Sequence, residues 1–236
     1  MDSTWLSIQL SLLKAALTAG VKRFAPPEFG CGPLAFPSIT MLKSQVEVWD
    51  ACKEAQKAHP GIECAGFEVG LFMNYLGKGC SNEKEALAGK HDDAEFIYRM
   101  HDMRALIPLK SNGTIPRITM TEIGDIGRFV AAACSLPKWE RSFGMVGETL
   151  RMDEVVRLIE EVREKKMDIE FRTQEQVRKE KERETNPDRL FWLELEEMYS
   201  RDREDEAVIR PVLNELCPDV KPMSVQDYLR KYWAES

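Results

Sequence analysis

The sequence predicts an α/β protein, and three observations carry that reading. Short apolar runs at Val21–Ala25, Ile62–Val69 and Phe143–Val146 have the length and composition of strands covered on both faces. Amphipathic helical stretches lie between them, which calls for parallel strands joined by right-handed crossovers. The first run ends at Pro26-Pro27, which forbids both helix and further sheet pairing, so the chain turns at a strand's carboxyl end. In open α/β sheets, ligands bind in the crevice beyond those ends.

The elements follow in order. Asp2 or Ser3 is placed to cap a first helix in which Trp5, Ile8, Leu12, Leu13, Ala16 and Leu17 recur at three- and four-residue steps. Gly20 stands where a left-handed cap is needed. Beyond the Gly/Pro-rich loop Cys31–Pro37, a second helix starts near Ser38. Leu42, Val46 and Trp49 form its apolar stripe, with Lys43 at the edge of that stripe. His59-Pro60-Gly61 stops it. Gly70-Leu-Phe-Met-Asn-Tyr-Leu76 is the loop or short helix leaving the Ile62–Val69 strand, and Gly77–Asp93 reads as a mobile loop.

Arg104–Leu109 and Ile115–Thr121 flank Ser111-Asn-Gly-Thr114, and Asn-Gly between apolar runs predicts a hairpin. A turn is also the better meaning of the Asn112-Gly-Thr sequon. Glu122–Leu136 is a helix whose Ala131-Ala-Ala-Cys134 run permits close approach to a neighbour. Met152–Lys165 is amphipathic through Val155, Val156, Leu158, Ile159 and Val162, and Ile169–Phe171 is one more strand. The almost wholly charged Gln174–Glu184 segment reads as a solvated helix face with i,i+4 pairs. Leu190–Tyr199, Ala207–Leu216 and a helix opened by Ser224-Val-Gln-Asp227 complete a helix-rich carboxyl half.

Composition bounds the function. The 236 residues carry a net charge of −7, which disfavours a nucleic-acid backbone as partner. No apolar run approaches the roughly 18 residues of a membrane span, and cytoplasm is the expected compartment. The six cysteines are scattered without a C-x-x-C pair, as reduced core residues would be. The three histidines have no metal-ligand spacing with them, so no metal site is expected.

Ala19-Gly-Val-Lys-Arg-Phe-x-Pro-x-Glu-Phe-Gly30 resembles the fifth-strand motif of the isoflavone reductase / NmrA-like family, atypical short-chain dehydrogenases that bind NADPH. Gly70-Leu-Phe-Met-Asn-Tyr-Leu76, Gly124-Asp-Ile-Gly-Arg-Phe-Val130, and Pro218-Asp-Val-Lys221 with Ser224-Val-Gln-Asp-Tyr-Leu229 are similar to later family motifs, in the right order, particularly those of fungal members. The resemblance implies an incomplete Rossmann-like parallel sheet with a helix-rich substrate domain. Residues 1–80 and 117–150 would be the remaining part of the NAD(P)-binding domain, and 81–116 and 151–236 the substrate-binding domain.

The same resemblance implies Lys43 as the catalytic residue, near the nicotinamide. Pro26, Pro27, Glu28 and Phe29 join Lys43 in the expected cofactor site, and Gly70, Phe72 and Tyr75 are expected to contact substrate. Hydride delivery to a carbonyl or conjugated double bond develops negative charge, which a cationic acid stabilises. Pro27 replaces a family serine, at a cost of about 1 kcal/mol if its hydrogen bond is lost.

The cofactor implied is NADP(H), but no Gly-x-x-Gly-x-x-Gly turn occurs in the chain, which corresponds to the family's sequence beyond its fourth strand. Without that turn the phosphates lose their helix N-terminus, and weak NADPH binding is expected. The Val21–Ala25 strand would present an open edge, a place for self-association. The reading is therefore an NADPH-dependent reductase of a small secondary metabolite, impaired in cofactor binding. The alternatives are a non-catalytic NmrA-like regulatory or interaction protein, which could dock through Gln174–Asp205, and a cofactor-free isomerase or dehydratase using Lys43 and Glu28.

Overall fold

The computed structural model describes residues 3–90, 96–203 and 206–234. The predicted cap at Asp2 or the Ser3 side chain, and the ends of the segments predicted to finish at Asp93 and Asp205, lie outside the described residues. From the amino end run α1 (Ser3–Thr18), β1 (Arg23–Phe24), α2 (Lys43–Ala58), β2 (Glu63–Cys64), β3 (Gly66–Glu68) and β4 (Leu71–Phe72). Next come α3 (Glu83–Ala86), β5 (Tyr98–Arg99), β6 (Arg104–Pro108), β7 (Arg117–Thr121), α4 (Ile123–Ala133), β8 (Ser142–Gly144) and β9 (Glu148–Arg151). The carboxyl half holds α5 (Met152–Arg163), β10 (Asp168–Arg172), α6 (Gln174–Lys181), α7 (Pro187–Tyr199), α8 (Val212–Leu216) and α9 (Val225–Trp233).

The α/β class is borne out. Only Ala65 separates β2 from β3, and the two pair on opposite sides, β2 with β1 and β3 with β8, all in parallel. One face of this sheet packs Phe24, Ile62 and Cys64 against Leu13 of α1 and Val48, Trp49 and Cys52 of α2. The other packs Ala65, Phe67 and Val69 against Ile126, Phe129 and Ala133 of α4 and Leu213 of α8. These are the two covered faces that a short, apolar parallel strand requires. Among the described residues β1 pairs with β2 alone.

Arg23 locks this layer together. Its guanidinium donates to the carbonyls of Cys134 and Leu136 at the end of α4, at 2.7 and 2.6 Å, while Nε donates to Glu63 at 3.0 Å. It also lies over the Trp139 ring.

Several expectations need correcting. The period of α1 is right but its buried face is rotated: Gln9 and Leu13 are inside, whereas Ile8 and Leu12 are half exposed. The helix packs on α2 along one side only, so part of its apolar surface has nothing to cover it. Helix α2 starts at Lys43 rather than near Ser38, because the 3-10 turns Phe36–Ser38 and Thr40–Leu42 come first. Its buried face is Gln45, Val48, Trp49, Cys52 and Ala55. Part of the expected mobile loop folds as α3, with Ala86 fully buried.

The Asn-Gly signal produced a turn but no hairpin. Gly113 has φ +78° and its N–H donates to the Lys110 carbonyl at 2.9 Å, while the Thr114 carbonyl accepts from the Lys110 N–H. Beyond the turn the arms separate: β6 lies between β10 and β5, and β7 between β4 and β9. Pro108 and Pro116 lie one on each arm, and each lacks the N–H a ladder would need. Strand β9, antiparallel to β7, was not anticipated, and the Ala207–Leu216 helix is reduced to α8.

Other signals held. Gly20 closes α1 at φ +69°, and Ser224 caps α9 by accepting the Asp227 N–H. Thr173, not anticipated from sequence, caps α6 with a capping box. All six cysteines are free, and five are buried. No helix among the described residues is long and apolar enough to cross a membrane.

Gly144 marks a contact that tolerates no side chain. A Cβ there would lie 2.0 Å from the Arg210 carbonyl oxygen and 2.7 Å from Ile209 Cγ2. Gly144→Ala is expected to cost about 1–3 kcal/mol by overpacking, read as a lower urea midpoint. An unchanged midpoint would overturn this close approach.

Candidate active site

Two prolines end β1, and the chain then rejoins the sheet through one carbonyl. The Gly30 oxygen accepts the N–H of Val69 at 3.0 Å and that of Gly70 at 3.1 Å, and Gly30 bridges Glu68 in parallel. The predicted cofactor turn (Pro26, Pro27, Glu28, Phe29) and the predicted substrate segment (Gly70, Phe72, Tyr75) therefore meet at the carboxyl edge of the sheet. Gly70 has φ +72°, and a Cβ on it would stand 2.3 Å from the Thr119 carbonyl oxygen. Only glycine fits there. The buried Thr121 hydroxyl lies 2.8 Å from the Val69 carbonyl and 3.0 Å from that of Met145, and it accepts the Gly147 N–H.

Glu28 is 8% exposed, and its carboxyl sits between Trp49 and Gly66. Glu28 Oε1 and the Trp49 indole N–H are both cut off from water without a hydrogen-bond partner. Burial pushes the Glu28 pKa up to about 8; the nearby Glu68 charge adds to the rise, and Trp49 and Arg141 oppose it. At neutral pH this carboxyl keeps its proton. Glu68 is raised in the same direction by burial, against Ser142, whose hydroxyl donates to it at 2.5 Å, and the charges of Arg141 and Arg210.

The neighbours Glu68 and Arg141 were missed from sequence, although the position of Glu68 at a strand's carboxyl end was a usable signal. Phe29 is less available than expected: its ring stacks on Phe67 at 6.0 Å, within the core. Pro26 is buried and Pro27 exposed.

Lys43 is the first residue of α2 and is exposed. Among the described residues it makes no hydrogen bond or ion pair. A cation at the positive end of a helix dipole is not a placement that stability favours. What positions it is the turn before it. The Thr40 N–H and hydroxyl both donate to the Glu194 carboxylate at 2.7 Å, fastening this turn to α7.

Helix α7 also presents Phe191 and Trp192. Tyr75 packs edge-on to Trp192 at 5.8 Å and near Phe72 at 6.4 Å, and Phe96 lies 5.0 Å from Trp192. The Lys90 ammonium stands over the Phe72 and Tyr75 rings at 4.4 and 4.7 Å. Phe72, Phe191 and Trp192 are only partly buried, so this wall can receive a flat apolar molecule. Phe96, Phe191, Trp192 and Lys90 were not singled out in the sequence, because aromatics at helical or strand spacing look like ordinary core.

The residues present fit one end of a dinucleotide. An unpartnered neutral carboxylic acid at a strand's carboxyl edge suits an amide such as nicotinamide's. For the phosphates there is less. Gly30-Cys-Gly32-Pro-Leu-Ala35 has the letters of the alanine-ended phosphate turn, a variant the sequence reading overlooked, but it runs into the three-residue 3-10 turn Phe36–Ser38 rather than opening a helix.

The raised Glu28 has a stability consequence. Between its unfolded value of 4.5 and its folded value of about 8, the native state binds the proton that the unfolded state has released. Stability therefore falls as pH rises through that window. Glu28→Gln keeps the shape and removes the titration, so its urea midpoint should decline less from about pH 5 to pH 8. Parallel wild-type and variant profiles would contradict the buried, protonated carboxyl.

Comparison with known proteins identifies the family and the fold. The NmrA-like family model matches residues 2–229. Oxidoreductase BOA1 of Botryotinia fuckeliana (strain B05.10) is 36% identical over 156 residues, which are 64% of this chain and 46% of that protein. The chain thus spans about half the length of this curated relative.

Among solved structures, one of the pinoresinol-lariciresinol and phenylcoumaran benzylic ether reductases is similar with a TM-score of 0.71 at 20% identity, over 98% of this chain and 72% of that one. An isoflavone reductase has a TM-score of 0.68 at 19% identity, over 96% and 71%. A leucoanthocyanidin reductase from Vitis vinifera, in binary complex with NADPH, has 0.69 at 14% identity, over 100% and 74%. The fold is that of these Rossmann-like reductases, and the chain belongs to the NmrA-like family.

Proposed function

We propose that the protein is an NADPH-dependent reductase of a small, aromatic secondary metabolite, with the nicotinamide laid against the Pro26–Gly30 turn. The observation that carries this reading is the Gly30 carbonyl, whose two hydrogen bonds bring the cofactor turn and the substrate segment to one sheet edge. When bound, the cofactor supplies a hydride to an electrophilic carbon of the substrate.

The chain's own residues supply the rest. The Lys43 ammonium stabilises the negative charge developing on the substrate and delivers the proton that completes reduction. Glu28, protonated at neutral pH, offers a donor to the nicotinamide amide. Phe72, Tyr75 and Trp192 form an apolar wall that orients a flat substrate and excludes water from one side.

The phosphates are the weak point. The Gly30–Ala35 turn runs into a three-residue 3-10 turn and so offers the phosphates no helix N-terminus. Titrating NADPH into the purified chain is therefore expected to change nucleotide fluorescence saturably, in the high-micromolar to millimolar range. No saturable change in that range would refute the cofactor assignment.

Lys43→Ala should leave the melting temperature nearly unchanged, since the side chain is exposed and unpartnered, yet lower turnover of an aromatic enone or ketone by about 10²–10⁴-fold. Turnover equal to wild type would remove Lys43 from the mechanism.

A further inference from the structure

A second concave site lies away from the carboxyl edge of the first sheet. The face of β5, β6 and β10 that carries Leu106 is roofed by α6 and the start of α7, leaving a groove of about 630 Å³. That is within the size range of small-molecule sites. Arg99, Arg104, Arg172, Lys179, Arg183 and Arg189 line it, against three carboxylates. The chain as a whole carries a charge of −7, so this excess of cations is local.

The groove's own acids are already engaged. Glu180 is held by Arg172 at 2.5 Å and by Arg189, Glu184 faces Arg189 at 3.7 Å, and Glu170 faces Arg104 at 3.8 Å. Lys179 is paired with Glu175 at 2.6 Å. That leaves Arg99 and Arg183, which have no ion pair among the described residues.

Two further facts about Arg99 point to a ligand. Its Nε is buried without a hydrogen-bond partner, a state that costs free energy until something accepts from it. It is also the register partner of Arg104 across the antiparallel β5–β6 pair, and like charges directly opposite are destabilising. Arg172, 6% exposed and fixed between Glu180 and Glu196, keeps the floor rigid.

We propose that this groove binds a small multivalent anion, a phosphorylated or polycarboxylate metabolite, gripped between Arg99 and Arg183. Guanidinium forks match phosphate and carboxylate oxygens in pairs. A long nucleic-acid backbone is a poor match for a short groove walled by glutamates. The site is independent of the reductase reading, because none of its lining residues belongs to the candidate active site.

The test is thermal unfolding of the full chain in pyrophosphate and, separately, in citrate, at constant ionic strength. A native-state ligand raises the melting temperature progressively with its concentration. Stabilisation by pyrophosphate alone identifies a phosphorylated ligand, by citrate alone a polycarboxylate, and by both a site that reads charge; each supports the proposal.

Arg183→Glu, at an exposed position, should leave the ligand-free melt unchanged and weaken binding roughly ten- to hundredfold. Lys57→Glu on α2 serves as the control and should behave as wild type. No stabilisation at millimolar concentrations of either anion, or equal stabilisation in Arg183→Glu, would overturn the site.

Discussion

The Gly30 carbonyl is the interaction on which the candidate active site depends. Pro26 and Pro27 remove two consecutive N–H donors, so β1 cannot continue its ladder with β2. Without a further tie the turn would leave the sheet. The carbonyl restores it by accepting the N–H groups of both Val69 and Gly70. The same two residues begin the passage from β3 to β4. That passage is possible because Gly70 adopts a positive φ over the Thr119 backbone and because Thr121 satisfies the neighbouring carbonyls. One acceptor thus sets the position of Glu28 on one side and of Phe72 and Tyr75 on the other.

Buried acids organise the remainder. Glu28 stays neutral because burial outweighs what Trp49 and Arg141 do to lower its pKa. The glutamates of α7 have charged or hydroxyl partners, although burial still raises Glu196 to about 7 against Arg172. Glu194 accepts from Thr40, Glu196 from Arg172, and Glu197 from Arg178 and Lys181. Such pairs add little net stability, but loss of one partner leaves an uncompensated buried charge. Their effect is geometric: they hold α7 and its aromatic face in one orientation against the turn before Lys43. The charged segment that read as a solvated face is half of this arrangement. Thr173 caps α6, and Val177 is fully buried beneath its cations.

The framework of the candidate site was legible because it rests on local chemistry. A Pro-Pro pair after a short apolar run marks a strand end in any fold, and a glycine followed by apolar residues marks the next turn. The two turns were read that way, whereas Glu28, Gly70, Phe72 and Tyr75 entered the candidate site through the family motifs they belong to. Lys43 was singled out only by family resemblance, since an exposed helix lysine has no local signature. The aromatic wall of Phe96, Phe191 and Trp192 was hidden, because residues distant in sequence assemble it.

The sequence by itself determined the α/β class, most helices, the caps at Gly20 and Ser224, and the turn at Asn112-Gly113. Each depends on interactions within a few residues, where backbone preference and side-chain pattern suffice. Tertiary structure alone decided which strands pair, and it sent the two arms of the expected hairpin into different sheets. It also chose which face of α1 is buried, kept the proton on Glu28, and gathered six cations into one groove. The reason is common to all of these. Pairing, burial and charge environment are set by neighbours far along the chain, and no local pattern encodes which neighbour arrives.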